Sequence, residues 1–270
     1  MAFEGLVPVP DVAVGAWIEP RLLGFGGRVG CVVPTGFEAY ARILHPAADE
    51  RNAPATWAQV CERTGRTPHA LMQWRSVANV RDVEVTQGRW PRRRRYTTST
   101  SEWPGQEPDD GNLPPAELAA LLDVLDGRTD AGADCFHGLW EGWGWLDGRG
   151  VAHLSHGFGP EPPQLPPGIS AEALASPRLR LPGRDYVLFR GPLRAALAMG
   201  HEVGTFWPQS PNLLWPADRS WCLASEIDFD STLVGGPRDL VDAVLSAPGL
   251  EAWPVDPDDD LTENGDRVDG

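Results

Sequence analysis

The sequence predicts an α+β fold: a mostly antiparallel sheet or sheets, several short helices and a large share of loops. Some stretches alternate apolar and polar residues with the two-residue period of half-buried strands, while others repeat at helical spacing between a proline start and a glycine stop. The order mixes hairpins with isolated helices, which is not the strict βαβ alternation of a wound parallel sheet. With 30 Gly and 27 Pro in 270 residues, turns and long connections are frequent.

In chain order, "GFEAYARIL" (36–44) sets Phe37, Ala39, Ala41 and Ile43 against Glu38, Tyr40 and Arg42, and reads as a strand paired with "VGCVV" across Pro34 to Gly36. "TWAQVCERTG" places Thr56 and Gln59 at capping-box spacing and stops at Gly65, and Pro68 opens a second short helix through Leu71 and Trp74. Leu118, Leu121, Leu122 and Leu125 in "PPAELAALLDVLDG" mark the clearest helix. Residues 135–146 read as a glycine-punctuated strand, with "VAHLSHGFG" from 151 returning beside it. The prolines of "GPEPPQLPPG" (159–168) exclude it from a sheet interior. "RDYVLFRG" and "SWCLASEIDF" read as strands, "PLRAALAMG" and "GPRDLVDAVLSAPG" as helices, and "LEAWPV" as a last strand. The expected organisation is one globular unit over residues 1–250, or two intimately packed halves joined near 157–170, followed by an acidic, mobile tail at 251–270.

The formal net charge is −15, and residues 251–270 hold eight acids against the single Arg267. An acidic surface repels phosphate backbones and anionic lipid, so neither nucleic acid nor a membrane is an expected partner. The contrary signal is "RWPRRRRY" (89–96), where Arg89 and Arg92 to Arg95 cluster. Glu102, Glu107, Asp109 and Asp110 follow within reach in sequence, which suggests a self-neutralised surface loop. The amino terminus lacks the basic-then-apolar pattern of an export signal, and the expectation is a cytoplasmic protein. Cys31, Cys61, Cys135 and Cys222 form no CxxC pair and read as reduced thiols.

In "SEIDFDST" (225–232), read as a strand, Glu226, Asp228 and Asp230 line one face about 6.6 Å apart. Neighbours in that row could share a hard divalent cation, although a solvated strand face is the plain alternative. Beside it, "FWPQSPNLLWPADRSW" (206–221) reads as a long loop carrying Trp207, Gln209, Asn212, Trp215, Asp218 and Arg219, a composition suited to binding. "LWEGWGWLDG" (139–148) adds Trp140, Glu141, Trp143 and Trp145, with Glu141 and Trp143 on one strand face. Cys135 and His137 share a face as two soft ligands, and His153 and His156 form an HxxH pair, but no second compact ligand pair accompanies them. There is no GxSxG, HExxH, Walker-type loop or GxGxxG following a strand. No cofactor is evident beyond a divalent cation.

The stretches "FEAYARILHPA" (37–47), "WEGWG" (140–144), "GRDYVLFRGPL" (183–193) and "SPNLLWPADRSWCLASEIDFDSTLVGG" (210–236) resemble an uncharacterised set of actinobacterial proteins with no assigned activity. The resemblance implies a cytosolic bacterial protein and brings no catalytic residues with it. Two functional expectations follow. The first is a ligand- or partner-binding regulatory protein that meets a small molecule or a protein through the Trp-rich loop and acidic strand end. The second is a metal-assisted hydrolase or transferase using Glu226, Asp228 and Asp230 with Arg219.

Overall fold

The computed structural model describes residues 2–87, 94–130, 132–148 and 166–268. Nine of its strands form one antiparallel sheet: β1 (Val7–Pro8), β2 (Ala39–Leu44), β3 (Cys135–Trp140), β4 (Arg178–Leu181), β5 (Arg184–Gly191), β6 (Leu213–Pro216), β7 (Cys222–Ser225), β8 (Ser231–Gly236) and β9 (Ala252–Val255). Their spatial order is β1, β5, β3, β6, β7, β8, β2, β9, and β4 lies beside β5 on the edge that β1 also uses. Strands from both sides of the 157–170 region thus share one sheet. The fold class is α+β.

Both faces of the sheet are covered, so successive residues of the central strands are buried alternately in opposite layers. On one face, Ile43, Leu214, Leu223 and Val234 pack under two helices, α2 (Pro115–Asp126) and α3 (Arg238–Leu245). Leu118, Leu121, Leu122 and Leu125 are the buried stripe of α2, as their spacing predicts. On the other face, Tyr40, Leu213, Trp215, Ala224 and Leu233 meet Ile18, Val29 and Val33 from the N-terminal coil and Leu261 from the C-terminal segment. A satellite core at one end holds Trp57, Val60, Cys61, Met72 and Trp74 around α1 (Trp57–Thr64). The capping box of Thr56 and Gln59 forms, and Gly65 ends α1 in the left-handed region at φ 72°. Two further donors at its N-terminus are taken by a distant carboxylate: Trp57 N and Ala58 N donate to Glu251 at 2.5 and 2.8 Å.

Several elements differ from expectation. "VGCVV" contributes a helical turn, Val29–Val32, and its Val29 and Gly30 amides donate to the C-terminal segment instead of to β2. "PLRAALA" is a 3₁₀ helix, and the helix near Pro68 is a single turn, Trp74–Val77. Arg42, on the polar side of the predicted alternation, is buried along with Tyr40. The strand expected over 135–146 ends at Trp140, so Glu141 and Trp143 lie in the following turn. The expected return strand at 151, His153 and His156, and most of the proline-rich connection lie outside the described residues.

The acidic segment after 250 is the largest departure. Instead of trailing, it forms β9 and then straps the N-terminal coil: Val29 N and Gly30 N donate to the carbonyls of Asp259 and Pro257, and Leu261 N donates to Gly27 O. Leu261 and Asp266 are buried, with Asp266 3.1 Å from His69 Nε2. Leu261→Ala is expected to lower the unfolding free energy by about 2–5 kcal/mol, measured by urea titration. A loss below about 0.5 kcal/mol, the ordinary surface value, would show that the strap is not part of the core.

Candidate functional site

Residues 226–230 are the turn joining β7 to β8, not a strand. Their carboxylates therefore do not form a row. Glu226 and Asp228 both meet the Arg184 guanidinium, at 2.5 and 2.7 Å, whereas Asp230 points inward to Arg42 Nη2 at 3.2 Å. Trp140 joins the first group, with Arg184 5.7 Å above its ring. Among the described residues no three His, Cys, Asp or Glu side chains converge closely enough to hold a metal ion, and Glu226, Asp228 and Asp230 are each engaged by arginine.

The expected Trp-rich loop is likewise resolved into other structure. Trp207 is on a two-stranded hairpin, Gly200–Val203 with Thr205–Pro208, where it is 58% exposed and stacked on His201. Trp215 is fully buried in β6 against Phe136. Asp218 and Arg219 form the tight turn at the opposite end of the β6–β7 hairpin from Glu226, with Asp218 accepting from Ser220. Glu141 pairs with Arg178 at 2.8 Å.

Gln209 and Asn212 belong to a buried polar spine. Asn212 Oδ1 accepts from Trp140 N and Trp143 Nε1, and its Nδ2 donates to Ser225 O. Gln209 Nε2 donates to Gly111 O. Further along, His45 Nδ1 lies 2.6 Å from Asp109 O, an atom that only accepts, so this nitrogen carries the proton. Nε2 then accepts from Thr232 Oγ1, which in turn accepts from Ser225 Oγ. The ring is fully buried, and burial holds its pKa down at about 4, partly offset by the Asp109 carbonyl.

This spine fixes an acidic loop against the β7–β8 turn. Asp109 O is held by His45 from below, and Gly111 N donates to Phe229 O at 2.8 Å from above. Gly111 has φ +65°, and a Cβ there would lie 2.6 Å from Ile227 Cα, so this close approach requires glycine. Between the clamped loop and the turn lies a cleft of about 410 Å³, lined by Glu107, Asp110, Asp228, Asp230 and Glu263 with the rings of Trp74 and Phe229. Arg75 is its one lining cation and already bridges Glu263 (3.5 Å) and Asp82 (3.2 Å). Among the described residues neither Glu107 nor Asp110 makes an ion pair. The Asp110 carboxyl is pushed up to about 6, first by burial and then by the neighbouring charges of Asp230, Glu107 and Asp228. A larger depression of about 510 Å³ beside Ala198 and Phe206 is wide open and mixes Glu4 and Glu202 with Arg194, itself paired with Asp123.

Sequence reasoning placed Asp228 and Asp230 near a site but missed Glu107, Asp110, Trp74 and Glu263, which approach only through tertiary contacts. The one available signal was the turn-prone "PDDGN" around Gly111. No protein-family model, curated protein or solved structure matches this chain. Among the described residues no helix is long and apolar enough to cross a membrane.

His137 is sealed in the core, and burial lowers its pKa too, to about 4, partly offset by the backbone at Gly191 and Pro192. Histidine in the unfolded chain takes a proton near pH 6.5, so the folded state binds fewer protons between that pH and 4. The stability contributed by each neutral histidine is present above pH 6.5 and lost as pH falls through the folded value, about 3 kcal/mol apiece. Asp110 works in the opposite direction, favouring the folded state most below its unfolded pKa, but its side chain reaches solvent and offsets little. Urea titrations at pH 7.5 and 4.5 should show a net fall, and a smaller one in His137→Leu. Equal pH dependence in both proteins would exclude this role for His137.

Proposed function

We propose that this protein binds an organic cation in the cleft between the 107–110 loop and the 228–230 turn, and so acts as a binding or regulatory protein. The observation that carries this reading is the pair of carboxylates, Glu107 and Asp110, which among the described residues have no arginine partner in a cleft where the other three acids have one. Aromatic rings complete the match. Trp74 and Phe229 line the same space, and a guanidinium or alkylammonium group gains from a ring face as well as from carboxylate charge. A cleft of about 410 Å³ suits a small ligand or one or two side chains of a protein partner. The absence of three converging ligands among the described residues favours such a cation over a metal ion.

The charge state of Asp110 makes the reading pH-dependent. Its carboxyl, raised to about 6, is protonated below that pH and anionic above it. Titration calorimetry with spermidine and with a tri-arginine peptide is expected to detect binding that strengthens from pH 5 to 7.5 and weakens with salt. A Glu107→Gln, Asp110→Asn double variant should lose about tenfold or more in affinity, while Asp218→Asn, at the remote turn, should not. Equal binding by all three proteins, or none by any, would reject the cleft as the site.

A further inference from the structure

At the turn of the β6–β7 hairpin, the end opposite Glu226, two arginines meet one tryptophan. Arg21 stacks its guanidinium over the Trp17 ring, 5.2 Å from the centroid, and over the Phe37 ring at 4.4 Å. Arg219 reaches the same indole from the hairpin turn, with its guanidinium carbon 5.9 Å from the Trp17 centroid. The two charges are therefore separated by no more than the sum of their distances to that one ring. Trp17 packs edge-on against Phe37 and the fully buried Trp215, with centroids 6.4 and 6.3 Å away, so the platform carrying the arginines is anchored in the core.

Arg42, Arg75, Arg128, Arg178, Arg184 and Arg194 each pair with a carboxylate, whereas among the described residues Arg21 and Arg219 make no ion pair. Asp218, next to Arg219 in the chain, accepts instead from Ser220 N and Oγ. Arg21 spends Nε on Thr35 O at 2.5 Å, and among the described residues its terminal nitrogens and the whole Arg219 guanidinium meet no hydrogen-bond acceptor. Trp17 Nε1 is buried and also has no partner among them. A ring face compensates part of a guanidinium's charge but leaves its N–H edges unspent. Donors thus gather here without acceptors, and the two like charges repel. The backbone bears a further cost, because Arg219 is held at φ +60°, a left-handed conformation that glycine or asparagine adopts more cheaply.

We propose that Arg21 and Arg219, gathered on Trp17, bind the phosphate group of a small molecule. The inference goes beyond the cation-binding cleft and uses none of its residues. Donor count and charge select the ligand. Two guanidiniums bring two positive charges and several free N–H groups; a phosphate monoester brings a charge of about −2 near neutral pH and three acceptor oxygens, where a carboxylate has half that charge and one oxygen fewer. The arginine fork also matches phosphate in shape, which a point charge does not. An anion between the two guanidiniums turns their mutual repulsion into attraction, and a strained residue at a binding position is where such a cost is ordinarily found. The net charge of −15 opposes a small ligand little, because salt at physiological strength screens charges beyond about 8 Å. A nucleic acid would lay its phosphates across the acidic surface and meet that charge in full. The arginine run at 89–95 is a different feature, of which Arg89, Arg92 and Arg93 lie outside the described residues.

The test is a titration of the full chain with inorganic phosphate at constant pH and ionic strength, the latter held with sodium chloride. It is followed by the Trp17 indole N–H resonance, which Trp17→Phe identifies among those of the 12 tryptophans. Saturable movement of that resonance is expected, and Arg21→Gln and Arg219→Gly should each raise the phosphate Kd by about tenfold or more. Arg63→Gln, which removes the same charge from an exposed position on α1, should not. Glycine takes φ +60° without strain, so Arg219→Gly should unfold at the temperature of the parent or above it while losing phosphate, a combination that a purely structural role for Arg219 would not give. Phosphate binding unchanged in Arg219→Gly would overturn the proposal. So would the absence of any saturable shift, or an Arg63→Gln variant that loses as much affinity as the other two. Acetate or citrate moving the resonance at the concentrations at which phosphate does would overturn the choice of phosphate as the ligand group.

Discussion

The buried guanidinium of Arg42 is the constraint on which the candidate site depends. It lies in the middle of β2, 1% exposed, and spends its donors on Ser231 Oγ, the carbonyls of Ala70 and Met72, and Asp230 Oδ1. Burial disfavours charge on both partners, lowering the pKa of Arg42 and raising that of Asp230, and their attraction returns part of that cost. The result is geometric more than energetic. One side chain joins the central sheet, the satellite core around Trp57 and the β7–β8 turn, with the Arg42 guanidinium 5.9 Å from the Trp57 ring. Asp230, held in this way, forms the back of the cleft, and its charge is one of those that raise Asp110.

The polar spine does the complementary work in front. A neutral His45 passes one hydrogen bond up to the 107–110 loop and receives another through Thr232 from Ser225, while Asn212 binds the end of β3 to the same region. These groups are sealed from solvent, so their role is to position and not to react. The cleft acquires its electrostatic character because the loop clamped by this spine is the one that carries Glu107 and Asp110. Acidity at the site is thus a product of packing: carboxylates far apart in the chain are brought together by buried hydrogen bonds, among which only Asp230 takes part through its own side chain.

Local patterns were legible where local physics decides the outcome. The leucine spacing of α2, the capping box of α1, the proline entry to α3 and the apolar run of β5 all read correctly because capping and periodicity are short-range. Patterns decided by burial on both sides were not. Arg42 looked like the solvent face of an alternating strand because alternation cannot reveal that a second layer covers that face. "SEIDFDST" alternates as a strand would, yet the chain reverses there, and the period-two signal is shared by turns that place side chains on alternate sides. Tryptophans misled for a related reason. Trp215 and Trp207 look alike in a loop-like stretch, but one is core and the other exposed, a difference set by which strands arrive beside them. The acidic C-terminal segment was read from its charge as mobile, whereas its backbone bonds to residues 27–30, an interaction to which side-chain composition is blind.

That strap gives the molecule a particular order of assembly. Ile18, Val29 and Trp215 form one apolar layer with Leu261, and the amides of Val29 and Gly30 find their acceptors on Asp259 and Pro257. A nascent chain that has already laid down eight of the nine strands would still present an open greasy flank until the final turns arrive to button it closed. Chains shortened by early termination would be sticky intermediates, even with nearly all of the sheet in place.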